Sequence, residues 1–375
     1  MTAAAWLDEL DPLVAEAVDP VATEVDRAAT FPRAAVDALG RAGLLGLVSA
    51  AEVGGQGQGL RAASMTVERL ARSCGSTAMV VCMHYAAAAV VEALGPRAAR
   101  EAIAAGRHLT TLAFSEAGSR SHFWTPVSTA TRDGGDVRLD AHKSWVTAAG
   151  EANSYVWSSR PVGAEGPSTL WLVPADTPGL KVAGPFDGLG LRGNASNPMS
   201  AQGVVVPSSA MLGEDGKGDQ AMLGIVLPWF VCMSAAMAAG TMEAAIAKTI
   251  AHVSAVRLEH LDTRLADLPT IRAYLARMRC TADQARALLL DTLDAIERGR
   301  PDTTLRVLEV KAAAGEAAVE VTELAMRVCG GAAFRKEAGV ERHFRDARAA
   351  TVMAPTSDAL YDFIGRVVCG MDLFG

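Results

Sequence analysis

The chain lacks an excess of positive charge: 35 lysines and arginines stand against 42 aspartates and glutamates over 375 residues, a formal charge of −7. Without a basic run, a nucleic-acid-binding surface is excluded, because that surface needs clustered Lys and Arg. Cysteine is sparse as well. The six, Cys74, Cys82, Cys232, Cys280, Cys329 and Cys369, are scattered with no C-x-x-C spacing, which excludes a zinc ribbon or thioredoxin-like motif. No metal is expected, and the thiols read as buried apolar side chains in a reducing compartment. The opening MTAAAWLDELDPLVAEAVD carries acids early and lacks a basic stretch followed by an apolar run. It does not read as a secretory signal, and a cytoplasmic location is expected. Formal charge is also missing from residues 74–91 and 220–242. Their alanine, serine, threonine and glycine, with His84 in the first and Pro228 in the second, suit buried core helices better than membrane spans.

With 50% hydrophobic and 21% charged residues, the composition is that of an ordinary globular protein. At about 150 residues per domain, the length gives two or three domains. Residues 1–108 are rich in Ala and Leu and read as helices, with a loop at GGQGQG, 54–59. Residues 109–215 switch to short alternating or β-branched runs such as SYVWSSRPV and STLWLVPAD, separated by Gly, Pro, Asp and Asn. Helical character returns at 216–375, with long segments at 266–298, 303–330 and 342–370. The expected fold is therefore α+β and multidomain. An N-terminal all-α domain (1–108) precedes a middle β domain, barrel-like or a sandwich (109–215), and a C-terminal four-helix bundle (216–375).

Several segments carry a reading of their own. GLGLRG at 188–193 satisfies G-x-G-x-x-G, but NASNP and the strand-like GVVVP follow it where a dinucleotide fold needs a helix, so a Rossmann site is rejected. GGQGQG lacks the Lys-Ser/Thr of a P-loop. Trp145 and Thr147 lie two apart, so a strand turns both to one face. An aromatic plane beside a hydroxyl suits a planar cofactor; the same pair also makes a half-buried strand with a core Trp. Gly330 and Gly331 read as a helix C-terminus.

The order of helices, β domain and helices, with five motifs in sequence, resembles the acyl-CoA dehydrogenase superfamily of flavoproteins over essentially the whole chain. The motifs are LAFSEAGSRS (112–121), KSWVTAAGEANSYVW (143–157), GLGLRGNASNPMSAQGVVVPSSAMLG (188–213), VCGGAAF (328–334) and RHFRDARAATVMAPTSD (342–358). The resemblance implies FAD as cofactor. It places Leu112, Phe114, Ser115, Ser121, Trp145 and Thr147 at the flavin ring and pyrophosphate, and Arg327, Gly330 and Gly331 at the adenosine half. Thr356 and Asp358 fall at the adenosine diphosphate part, and Arg257 resembles an arginine that reaches the pyrophosphate from a neighbouring subunit, with His260 where a phenylalanine is usual. A homo-oligomer, dimer or tetramer, is implied, as is electron-transfer flavoprotein as redox partner.

The resemblance also implies a glutamate base that removes the substrate α-proton, yet Ala354 occupies its place. The alternative location on the first helix after the β domain falls near Phe230, and no carboxylate occurs between Asp219 and Glu243. General-base catalysis contributes about 10² to 10⁴ in rate, so a substitute is needed for ordinary dehydrogenation. His84, on an apolar helix, has a suitable titration range and is the candidate base; a hydrogen-bonded core histidine is the alternative. Glu116 resembles a structural position, and His343 reads as interface or cofactor support. His122, Phe123 and Trp124 replace a common small-residue loop and are expected to reshape the substrate entrance, or to form a surface cluster under the next subunit. Three functions follow. The first is an FAD-dependent acyl-CoA dehydrogenase-like oxidoreductase acting on an acyl thioester of CoA or a carrier protein, with an unconventional base. The second is a monooxygenase of the same fold using reduced flavin from a reductase and oxygen. The third is a non-catalytic subunit of a hetero-oligomeric dehydrogenase.

Overall fold

The computed structural model describes residues 5–118 and 122–373. Helices α1 (Ala5–Leu13), α2 (Ala22–Ala28), α3 (Arg33–Arg41), α4 (Leu60–Ser73), α5 (Gly75–Leu94) and α6 (Arg97–Ala104) precede the strands. GGQGQG forms the loop before α4. Strands β1 (Thr110–Ala113), β2 (Thr129–Asp133), β3 (Asp136–Val146), β4 (Ser154–Ser159), β5 (Thr169–Pro174), β6 (Leu180–Val182), β7 (Asn197–Pro207) and β8 (Met211–Leu212) make two four-stranded sheets. Their orders are β1-β4-β5-β8 and β2-β3-β7-β6, with β1 and β4 parallel and the other pairs antiparallel.

The helical remainder comprises α7 (Gly218–Ala221), α8 (Leu227–Ala255), α9 (Pro269–Arg298), α10 (Thr303–Cys329), α11 (Val340–Ala347), α12 (Ala349–Val352) and α13 (Ser357–Val368). A small hairpin, β9 (Arg257–Leu258) with β10 (Thr263–Arg264), follows α8. Proline at the first position starts α9, and Gly299, at φ +60°, ends it. The single long helix expected at 342–370 is instead three helices. Pro355 has no N–H to continue the ladder and biases Ala354 away from helical backbone, so the chain breaks before α13.

By packing the chain forms two compact units. The first gathers Met1–Thr66, Ser76–Gly188 and Arg192–Phe230, joining the N-terminal helices to both sheets; the second gathers Val67–Gly75, Leu189–Leu191 and Val231–Gly375. In the first unit, Trp157 of β4 stands opposite Trp171 of β5, both fully buried, and the Trp171 indole N–H donates to Ser159 Oγ at 2.8 Å. In the second, Leu308 and Ala312 of α10 pack against Leu360 of α13, with Phe363, Ile364 and Val367 around them. Gly75–Leu94 and Gly218–Ala255 are long and apolar enough to cross a membrane, but 72% and 67% of their most apolar windows are buried within the protein. Four cysteines are buried as expected; Cys280 and Cys369 are exposed instead, on outward faces of α9 and just beyond α13.

Candidate functional site

The first unit builds its site around one edge of β3. Exposed and buried residues alternate along this strand, so Val137, Leu139, Ala141 and Lys143 point inward. A lysine at an inward position needs a partner, and Glu116 supplies it. Lys143 Nζ lies 2.5 Å from Glu116 Oε1, and it donates to the Ser158 carbonyl at 2.8 Å and to Ser158 Oγ at 2.9 Å. Its ammonium also sits 5.3 Å from the centre of the Trp157 ring. Glu116 in turn accepts from the Val127 N–H at 2.5 Å, the Ser128 N–H at 3.3 Å and the Ser128 hydroxyl. Both charged side chains are 1% exposed or less. Burial pushes the Lys143 pKa down to about 8, against the pull of the Glu116 carboxylate.

This pair joins two short stretches of backbone. Glu116 bridges Lys143 in antiparallel fashion, and the Ser144 N–H donates to the Ser115 carbonyl at 2.8 Å. Next comes Trp145, with φ +57°, in a break of register between Lys143 and Val146. A left-handed bulky residue is costly, and it persists only where its surroundings hold it. Ala148, at φ +57°, and Ala195, at φ +49°, share that conformation nearby and are tied in by the bonds Ala148 N–H to the Asn194 carbonyl and Ala149 N–H to the Ala195 carbonyl. Three left-handed non-glycine residues so close together make this edge the candidate site of the first unit.

The register break also corrects the expectation that Trp145 and Thr147 share a face. Trp145 is 66% exposed, its ring edge-on to Phe186 with centroids 5.9 Å apart, whereas Thr147 is buried with Oγ1 3.1 Å from Ser196 Oγ. Strand β3 ends at Val146, so period-two alternation stops between them. Leu112 and Phe114 are buried and Ser115 half-buried; Ser121 lies outside the described residues. An open tryptophan plane beside a half-buried serine and a Thr147–Ser196 hydroxyl pair fits the flavin ring of FAD. In the aromatic loop, Phe123 is core, stacked on Phe114 with centroids 6.4 Å apart and planes 5° from parallel. It therefore does not stand at a rim, while exposed His122 and half-buried Trp124 remain at the surface, their rings 5.2 Å apart.

His84 is not arranged as a base. It is fully buried; Nε2 lies 2.9 Å from the Leu45 carbonyl, and Nδ1 lies 3.2 Å from the Thr110 N–H. One neutral tautomer satisfies both contacts, Nε2–H donating and Nδ1 accepting, which leaves no lone pair for a substrate proton. Burial lowers its pKa to about 4. These are the contacts of a hydrogen-bonded core histidine, and the next residue, Tyr85, is a second tie, its hydroxyl donating to the Leu44 carbonyl at 2.6 Å. Phe230 is buried, so the other base position is apolar.

The second unit holds the remaining candidates. Ala354 is half-buried between Met353 and Pro355. Gly330, at φ +54°, and Gly331 end α10, and a β-carbon at either would meet open space. Arg327, one turn earlier, is exposed, its guanidinium 6.0 Å from the Tyr274 ring centre. An exposed guanidinium near bare glycine backbone fits the anionic and adenosine parts of the dinucleotide. Arg257, on the β9–β10 hairpin, pairs at the surface with Asp262. Thr356 caps α13, accepting from the Ala359 N–H at 3.3 Å, and Asp358 is exposed in that first turn. A carboxylate repels phosphate, so Asp358 is suited to accepting hydrogen bonds rather than to holding the diphosphate charge.

His343 is buried with Nε2 unpartnered, and burial, then Arg342, Lys248 and Arg345, hold its pKa well below the usual range. Its neighbours fix the chain crossover at residues 189–191. Asp346 accepts the Leu191 N–H at 2.6 Å, Arg345 donates to the Leu189 carbonyl at 3.1 Å, and Arg342 donates to the Ser73 carbonyl at 2.9 Å. The R-H-x-R-D run is therefore structural support within its own unit. Sequence reading missed Lys311, a fully buried lysine of α10; its signal was a lysine on the apolar face of VLEVKAAAG.

The three models of one family match along the chain: acyl-CoA dehydrogenase N-terminal domain at residues 2–106, middle domain at 111–204 and C-terminal domain at 225–369. The chain belongs to the acyl-CoA dehydrogenase superfamily and is, by that membership, an FAD-dependent flavoprotein oxidoreductase of acyl-CoA dehydrogenase type. It is 29% identical over 355 residues to the mitochondrial short-chain specific acyl-CoA dehydrogenase of Bos taurus, covering 90% of this chain and 83% of that one. Its fold matches butyryl-CoA dehydrogenase from Megasphaera elsdenii with a TM-score of 0.91 at 23% identity, over 98% of both chains. It also matches PigA, solved as an FAD complex, with a TM-score of 0.90 at 18% identity, over 100% of this chain and 98% of that one.

Two predictions follow from the geometry. Replacing Glu116 by Gln leaves the Lys143 charge buried without its counterion and should cost about 3–5 kcal/mol in urea unfolding; a loss under about 1 kcal/mol would contradict the assignment. Because folding depresses the His84 pKa from 6.5 to about 4, its contribution is whole above pH 6.5 and is lost as the pH falls toward 4, by roughly 3 kcal/mol. His84→Gln should flatten that acid slope and leave flavin reduction by substrate near normal. An unchanged slope, or a hundredfold slower reduction with FAD still bound, would return His84 to the chemistry.

Proposed function

We propose that the chain oxidises an acyl thioester, carried by CoA or a carrier protein, without the carboxylate base that its superfamily resemblance implies. The observation that carries this reading is the exposed, left-handed Trp145 beside Ser115, in a chain matched by dehydrogenase models in all three of its parts. FAD, when bound, supplies a hydride acceptor. In the first unit Trp145 and Ser115 would hold the ring and Phe114 and Leu112 would back it with apolar surface; in the second unit, taken by itself, Arg327 and the two glycines would suit the adenosine half of a dinucleotide.

Ala354 and Phe230 offer no basic atom, His84 is engaged by backbone on both nitrogens, and Glu243, the first carboxylate on α8, is paired with Arg279 at 2.6 and 3.0 Å. The chain therefore works at a rate lowered by about 10² to 10⁴ for ordinary thioesters. Electron-transfer flavoprotein is the proposed acceptor, and a homo-oligomer the proposed assembly. The missing base specifically favours one second reading, a monooxygenase using reduced flavin from a reductase and oxygen, which has no need of that carboxylate.

The test is anaerobic titration of the FAD-loaded protein with a panel of acyl-CoA thioesters while the oxidised flavin band is followed. Slow bleaching is expected, accelerated at least about tenfold by Ala354→Glu, the lower end of what a general base supplies being larger still. A flavin that stays oxidised with every thioester, in both proteins, but is reduced by a flavin reductase and then consumes oxygen would favour the monooxygenase. Turnover only after a second chain is added would favour the non-catalytic subunit.

A further inference from the structure

Lys311 is 1% exposed in the middle of α10, and among the described residues no carboxylate pairs with it. Its Nζ donates instead to three carbonyl oxygens: Ala350 at 2.9 Å, Met353 at 3.0 Å and Pro355 at 2.9 Å. An ammonium has three N–H donors and no acceptor, so the three carbonyls satisfy it completely. A buried charge without a counterion is costly, and carbonyl dipoles are what compensates it here. Burial pushes the amine pKa down to about 7, against which the three carbonyl dipoles favour the protonated form.

The place of the three oxygens gives the lysine its meaning. Met353 and Pro355 flank Ala354, so the ammonium grips the peptide that enters Ala354 from Met353 and the peptide that leads from Pro355 into Thr356. Ala350 lies in α12, and Thr356, immediately after the grip, caps α13. The chain between α12 and α13 has no helical or strand ladder of its own, so its course depends on side-chain bonds such as these.

We propose that Lys311 is a positioning residue, its ammonium a tethered cation in a cage of three carbonyl oxygens that sets the course of the chain through Ala354 into Thr356 and Asp358. This deepens the proposed FAD-dependent reading, and its FAD part rests on that reading together with the resemblance that puts Thr356 and Asp358 at the adenosine diphosphate part. Met353 and Pro355 are then fixed by charge rather than by packing. A neutral side chain of the same length does not replace it.

The experiment uses the full chain as wild type, Lys311→Met and Lys311→Ala. Amide hydrogen exchange is followed by mass spectrometry over residues 349–359 of the apoprotein, and FAD affinity by flavin fluorescence. Loss of hydrogen bonds to a charged group predicts at least about tenfold faster exchange in this segment for Lys311→Met, with α8 and α9 unchanged, and at least about tenfold weaker FAD binding. Propylammonium added to Lys311→Ala replaces the missing atoms and should restore both, while 1-propanol should restore neither. Unchanged exchange in Lys311→Met, or equal rescue by 1-propanol, overturns the cage. If the variants do not fold, refolding of Lys311→Ala with propylammonium and not with 1-propanol supports it, and failure with both overturns it. A wild-type chain that binds no FAD overturns the cofactor reading alone, since the exchange comparison in the apoprotein still judges the lysine.

Discussion

Two opposite charges taken almost wholly out of water, Lys143 and Glu116, hold the first unit's functional edge in place. Their desolvation is costly, and it is offset by 2.5 Å contact, by the Ser158 carbonyl and hydroxyl, and by the Val127 and Ser128 N–H groups. The arrangement ties the chain after β1 to the end of β3 and to the start of β2. From that tie follow the Ser144–Ser115 backbone bond, the register break, and the left-handed Trp145 that the break leaves at the surface. An apolar pair of similar volume could fill the space, but it could not accept the two N–H groups that Glu116 takes.

Much of the architecture was legible because hydrophobic period is a local property. The switch from helical to alternating patterns near residue 109, and back near 216, corresponds to the step from α6 to β1 and from β8 to α7. The errors came where period gives way to a single residue. Trp145 and Thr147 were assigned one face because two residues apart on a strand means one face, and the strand ends between them. The run 342–370 was read as one helix although Pro355 stands in it. For His84 the sequence left a candidate base and a hydrogen-bonded core histidine side by side, and its partners, Leu45 and Thr110, lie 39 and 26 residues away in sequence, where no local pattern could show them. Lys143 and Lys311 were passed over for the same reason: lysine at an inward position is a signal only once the inward direction is known.

The two buried lysines also show how the chain divides its work. One has a carboxylate partner and organises the edge that carries Trp145; the other has only carbonyls and organises the turn that carries Ala354. Each unit thus holds its own backbone support in place, and neither Phe230 in the first nor Ala354 in the second offers a basic atom. A cofactor-binding framework without a protein base is a consistent arrangement for slow thioester oxidation, and it explains why the residues that make bonds in this site are chiefly those that hold backbone.

The central claim is that the exposed Trp145 plane faces the flavin, and its own emission tests it most directly. Tryptophan fluorescence of the apoprotein would be recorded during FAD titration for the wild type and for Trp145→Phe. The account predicts a component at the long-wavelength side, from a solvated indole, that is quenched in step with FAD binding and is missing from the variant, whose FAD affinity falls. Equal quenching curves and equal affinity in the two proteins would contradict it.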